Sequence, residues 1–254
     1  MSFIELMAPV GDFPSLHAAI AAGANSIYLG TDKWNMRSRS SVNFKIDNLQ
    51  EIKALCKKHK IKLYITLNSI AYDEDLDVIK KICDELKKIE VSAIIASDIA
   101  IIDYARSINL PVHASTQLNI CNFTAVCFYA KYCDAVVLAR ELTLFQIQQI
   151  TQKIKDHDIR GPNGHLLKVE IFAHGALCVA ISGKCYMSLA QYNMSANRGA
   201  CLQACRRKYR VIEEETNKEL IIENQYVMSP KDLCTLPFLD QIVKKVGCIN
   251  LLVT

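Results

Sequence analysis

Short apolar runs and helical segments alternate along this chain, and that alternation limits the folds open to it. "FIELMAP" is followed by "DFPSLHAAIAAG" and then "SIYLG". "IDNLQEIKALCKKHK" leads into "KLYITLN", "DEDLDVIKKICDELKKIE" into "SAIIASD", and "IAIIDYARSIN" into "PVHASTQ". "CNFTAVCFYAKYC" leads into "DAVVLAR", and "TLFQIQQITQKIKDHD" into "KVEIFAH". Leu49, Ile52 and Leu55, like Ile79, Ile82 and Leu86, keep the three-to-four spacing of a helix with one apolar face. The strand runs are almost continuously apolar, as expected when both faces of a sheet are covered. Strict alternation of this kind predicts parallel βαβ units. Seven strands are complete by residue 173, and "INLLV" (249–253) supplies an eighth.

Eight such units predict an α/β fold, a (β/α)8 barrel of the TIM type. An open doubly wound sheet is the alternative, but no glycine-rich dinucleotide turn follows the first strand. With 254 residues, 51% of them hydrophobic, the chain suffices for one barrel domain over 1–254. A cysteine-rich segment, 174–234, falls between strands seven and eight. No helix follows the eighth strand, so the chain reads as truncated relative to a complete barrel, with an uncovered apolar face on strands eight and one.

The formal net charge of +4 is too small to demand a nucleic-acid partner, although a local basic patch would serve one. There is no basic n-region followed by an apolar core at the start, and no apolar run of membrane-spanning length. A soluble, cytoplasmic protein is expected. Its eleven cysteines are then read as thiols rather than disulfides. Cys56, Cys83, Cys121, Cys127, Cys133 and Cys248 lie among apolar neighbours and read as small buried hydrophobes.

In a parallel barrel, chemistry gathers at the C-terminal ends of the strands. Arg37 and Arg39 follow strand two, and Asn68 follows strand three. His113, Ser115, Gln117 and Asn119 lie at the end of strand five, Arg140 and Glu141 at the end of strand six, and His174 at the end of strand seven. Arg140, Glu141, His174 and Gln117 are the candidate catalytic groups. Arg37, Arg39, Asn68, Ser115 and Asn119 are the candidate substrate ligands. Rim arginines suit an anion, because a guanidinium grips a carboxylate or phosphate through two bonds. An Arg140–Glu141 pair on a solvated rim is the plainer alternative. His113 lies within a strand, so a hydrogen-bonded structural histidine is as good a reading as a catalytic one. No HExxH zinc motif and no GxSxG elbow is present.

Cys178, Cys185, Cys201 and Cys205 fall within 28 residues, with glycines 175, 183 and 199 among them. Thiolates crowded together repel and oxidise unless they share a cation. Zinc knuckles use CxxC, which this stretch lacks. A 4Fe–4S cluster takes four cysteines at wider spacing. Cys234 is an alternative fourth ligand, and a group of metal-free buried thiols is the plainer reading. The run Arg206, Arg207, Lys208 and Tyr209 offers cations and a ring to RNA, or forms a solvated segment end.

"EIFAHGALCVAISGKCYMS" (170–188) resembles the signature of the collagenase-like peptidase family U32. "MAPVGDFPSLHAAIAAGANSIYLG", "HASTQLNICN", "VVLARELTL", "NRGACLQACRRKY" and "MSPKDL" resemble further landmarks of that family, so the likeness spans nearly the whole chain. The subgroup most resembled is the tRNA hydroxylation proteins. That resemblance implies 5-hydroxylation of the wobble uridine of tRNA, a 4Fe–4S cluster on cysteines of this segment, and prephenate, a dicarboxylate, as oxygen source. It also implies an RNA substrate and a redox partner protein. Peptidase activity is the alternative carried by the family name, and a non-catalytic, cluster-bearing partner of another enzyme is a third. Family members continue past strand eight into a "KIEGR"-type motif and a further helix, whereas this sequence stops at "NLLVT".

Overall fold

The computed structural model describes residues 4–31, 33–36, 38, 43–219, 232–246 and 249–253. Strands β1 (Glu5–Pro9), β2 (Ser26–Gly30), β3 (Lys62–Leu67), β4 (Ala93–Ala96), β5 (Val112–Ala114), β6 (Ala135–Val137) and β7 (Lys168–Gly175) run parallel in sequence order. A short β8 (Leu233–Cys234) adds antiparallel to the end of β7, and β9 (Ile249–Val253) enters between β7 and β1. Pairing of β6 with β7 completes the ring. The result is a closed parallel barrel of eight strands, β1–β7 and β9, with helices around it. β8 is an addition that the strand count from sequence does not contain.

The intervening helices are α1 (Phe13–Ala21), α2 (Leu49–Lys58), α3 (Leu76–Lys88), α4 (Ile99–Ser107), α5 (Phe123–Tyr129) and α6 (Leu144–Asp156). Local chemistry sets their starts. The Asp12 carboxylate accepts the Ser15 N–H at 2.8 Å, and Pro14 in the first turn has no amide hydrogen to leave unpaired. Thr143 and Gln146 cap α6 reciprocally. Each helix turns one apolar face to the barrel. Ile79, Ile82, Cys83 and Leu86 are the buried face of α3, with lysines on the outside. Two further helices, α7 (Met187–Tyr192) and α8 (Leu239–Val246), lie within and after the cysteine segment.

The main core lies between strands and helices, and a smaller one lies inside the barrel. Met7, Tyr64, Ala93, Ile95, Val137 and Leu252 form that inner set. The interior also holds charge. Glu5 accepts hydrogen bonds from Lys62 and from the Tyr64 hydroxyl (2.7 Å), and His113 Nδ1 faces Glu170 Oε1 at 2.9 Å. Burial pushes the Glu5 carboxyl up, but the bonds from Lys62 and Tyr64 outweigh it and hold the group below its ordinary value. Of the two readings of His113, this placement gives the structural one a partner: the ring is buried, paired with Glu170, and packed 4.7 Å from the Tyr64 ring.

The scattered cysteines divide. Cys56, Cys83 and Cys133 are buried, and burial raises their thiols to about 11, 12 and 12. The expectation of burial fails for Cys121, which is exposed, and for Cys127, which is half-buried. Cys121 sits in the turn that precedes the α5 cap Asn122, outside the packed face of the helix. Cys248 lies outside the described residues.

Candidate functional site

A cavity of about 330 Å³ opens at the C-terminal end of the barrel. Ile95, Val137 and Leu252 of the inner core line it, and Asn35, Thr66, Asn68, Ser115 and Gln117 are among its polar groups. Thr66 lies on β3 and the others follow the ends of β2, β3 and β5, where a parallel barrel brings separate loops together. Asn68 Nδ2 lies 3.4 Å from Ser115 Oγ and donates to Gln117 Oε1 at 3.3 Å; the Ser115 hydroxyl also bonds Gln117. The Asn68 carbonyl accepts the Ser97 hydroxyl at 2.9 Å, which fixes the β3 loop to that of β4. The candidate ligands Asn68 and Ser115 and the candidate catalytic residue Gln117 therefore meet as one hydrogen-bonded group.

Asn119 and Glu141 do not line the cavity but reach the cysteine segment. Asn119 Oδ1 accepts the Ser182 hydroxyl at 2.9 Å, and Glu141 Oε1 accepts the Ser182 N–H at 3.3 Å. Arg140 Nη2 donates to Ala180 O at 3.2 Å, and its guanidinium lies 5.9 Å from the ring of Phe172, a cavity residue. Its Nε is buried with no hydrogen-bond partner. An orphaned buried donor costs about 1–3 kcal/mol, so this N–H is suited to an incoming acceptor. Arg140 and Glu141 do not pair with each other; each is turned to the loop of the cysteine segment. His174 is exposed, with its backbone between β8 and β9. Arg37 and Arg39 lie outside the described residues.

The cysteine segment covers the mouth from two sides. Gly183 sits over Gln117, its Cβ position 3.7 Å from Nε2. Gly199, at φ 84°, packs onto Asn35 O and Ser38 so closely that a Cβ would collide with both. Arg198 anchors this part: it pairs with Asp75 and stacks 4.2 Å from the Tyr72 ring. Burial raises the Asp75 carboxyl, but Arg198 and the Tyr72 N–H together hold it below its usual range.

Cys205 lies within electrostatic reach of the other three thiols. Burial pushes its thiol above the ordinary value, and the charges of Cys178, Cys201 and Cys185 push it further, against the pull of Arg206. Cys185 Sγ also accepts the Met187 N–H at 3.3 Å. Cys234 stands on β8 beside His174 and is exposed; the thiols that act on Cys205 are the other three. Among the described residues, no three His, Cys, Asp or Glu side chains are placed to hold a metal ion. Four cysteine thiolates are a donor set that either a 4Fe–4S cluster or a zinc ion takes.

The basic run is largely committed within the chain. Arg206 donates to Leu177 O and Asp232, Arg207 stacks 4.8 Å from the Tyr192 ring and donates to its hydroxyl, and the Tyr209 hydroxyl donates to Ala204 O. Lys208 is exposed. Nothing in the sequence marks Ser182, Asn197 or Arg198, which hold the segment in place.

The family model described as Peptidase family U32 matches residues 11–250. The chain belongs to this family. It is 51% identical over 239 residues to a protein of Porphyromonas gingivalis named "Collagenase", covering 94% of this chain and 58% of that protein. It is 31% identical to "tRNA hydroxylation protein P1" of Bacillus subtilis, over 94% of this chain and 56% of that protein. The chain thus spans somewhat more than half the length of these U32 relatives. The solved structure titled "The Structure of the U32 Peptidase Mk0906" superposes with a TM-score of 0.64 at 9% identity, covering all of this chain and 94% of that one, which shows a common fold. No helix among the described residues of this U32 chain is long and apolar enough to cross a membrane.

Proposed function

We propose that this chain is the barrel of an RNA-hydroxylating enzyme that acts in the cytoplasm, with the wobble uridine of tRNA as substrate and prephenate as co-substrate. Three cysteines within electrostatic reach of Cys205, in a segment whose Gly183 lies over the cavity residue Gln117, carry the reading. A 4Fe–4S cluster on these thiolates would supply one-electron chemistry, with a redox partner protein as electron source. Asn68, Ser115 and Gln117 would orient a neutral hydrogen-bonding group in the cavity. Arg140 would offer its Nε–H to a carboxylate, and Lys208 would meet backbone phosphate. The relative named for tRNA hydroxylation supports this reading.

A second reading, a peptidase, is favoured by the relative named "Collagenase" at the higher identity. Two measurements separate them. Mass spectrometry of tRNA nucleosides from cells with and without the gene should show a hydroxylated uridine that disappears with it. Digestion of gelatin by the purified chain should be absent. Unchanged nucleosides together with gelatin cleavage would sink the hydroxylase reading in favour of the peptidase.

A further inference from the structure

The loop between Cys178 and Cys185 is seated on the barrel by side chains from other strands. Asn119 follows β5, and Arg140 and Glu141 follow β6. All three reach the same short stretch, Ala180–Ser182. Ser182 is the focus: its hydroxyl donates to Asn119 Oδ1 at 2.9 Å and its N–H to Glu141 Oε1 at 3.3 Å. It is 1% exposed and adopts φ 51°, with Gly183 next at φ 72°. A serine in that left-handed region costs of order 1 kcal/mol and persists only where its contacts hold it. The far end of the loop is held too, because the Cys185 N–H donates to Asn197 Oδ1 at 3.1 Å.

We propose that Asn119 and Glu141 are positioning residues that act through Ser182, fixing the Cys178–Cys185 loop on the barrel before any metal arrives. The inference deepens the cluster reading above and rests on it for its purpose, though not for its geometry. Ordering a residue costs about 1–2 kcal/mol, so a loop left free would charge that cost against metal uptake. The clamp meets it during folding. It also accounts for two rim residues that neither line the cavity nor meet each other.

The test uses the metal-free chain. Asn119 itself sits at φ 52°, so Asn119→Gly removes the amide without straining the backbone. Glu141→Ala removes the other acceptor. Asn119→Asp and Glu141→Gln keep an acceptor oxygen and serve as conservative controls. Each protein is pulsed with N-ethylmaleimide, and labelling is read cysteine by cysteine by mass spectrometry. Cys185, half-buried, should label about tenfold faster in Asn119→Gly and Glu141→Ala, the factor that corresponds to ~1.4 kcal/mol. Rates in the conservative variants should stay near wild type. Buried Cys83 reports global unfolding and should remain unlabelled. An unchanged Cys185 rate in both variants, with Cys83 protected, overturns the clamp. Should Asn119→Gly expose Cys83, Ser182→Ala cuts the same bond from the loop side and decides on the same readout. Anaerobic uptake of iron and sulfide, followed as absorbance in the blue, is a separate arm. A wild-type chain that takes up no iron ends the cluster reading, while the labelling rates decide the clamp alone.

Discussion

Glu5 is a charged side chain placed inside a barrel, and its partners explain why it is tolerated. Lys62 and Tyr64 both donate to it, and its pKa is held below the ordinary carboxylate value of 4.5. A depressed carboxyl stabilises the fold above its unfolded pKa and loses that contribution as the pH falls through the folded one. Glu5→Gln should therefore cost about 1.5–3 kcal/mol at pH 7, the range for hydrogen bonds to a charged group. Urea unfolding at pH 7 and at pH 3.5 measures it, and the gap between variant and wild type should narrow at the lower pH. Arg140 poses the opposite case, a buried N–H with nothing to meet. On the proposed function, Arg140→Ala should weaken prephenate binding about tenfold or more by calorimetry, since a charge-assisted bond of ~1.5 kcal/mol or above is lost. Equal affinity in the two proteins would remove Arg140 from ligand binding.

At the level of elements, Gly199 is the contact on which the cysteine segment turns. Its φ of 84° and the crowding by Asn35 O and Ser38 leave no room for a methyl group. Gly199→Ala should lower stability by about 1–3 kcal/mol through overpacking and strain, and differential scanning calorimetry would register it. The strands that position this segment were legible because their apolar runs are continuous: β2 falls where "SIYLG" places it. Strand ends were less legible. "PVHASTQ" reads as strand through Gln117, yet β5 stops at Ala114 and a 3-10 turn over Thr116–Leu118 follows, ended by Asn119 in the left-handed region. That turn brings Gln117 into the cavity and Asn119 to Ser182. The density of cysteines marked this segment in the sequence. The clamp had no such signal, because a left-handed serine leaves no mark in sequence and its partners lie 41 and 63 residues away. The His113–Glu170 contact was hidden for the same reason, since it joins β5 to β7 only once the barrel has closed.

At the scale of the whole molecule, thiol chemistry should sort by burial. Cys56, Cys83 and Cys133, with thiols raised to about 11, 12 and 12, should resist alkylation at pH 8 in the folded protein, while the exposed Cys121, Cys178 and Cys201 react. Labelling of all three buried thiols at the rate of Cys121 would contradict the packing described. The closure of the ring has a consequence in time. Met7 pairs with Leu252, two residues 245 positions apart, so the barrel cannot close until β9 has been made. At about 5–20 residues per second, translation of that interval occupies roughly 12–50 s. The four cysteines of the mouth leave the ribosome before it ends. They spend their first seconds on an unclosed chain, beside strands that have not yet found their last neighbour. A nascent chain in that state is a substrate for chaperones and for oxidants alike, so the yield of protein with all four of these thiols reduced should depend on oxygen during synthesis as well as after it.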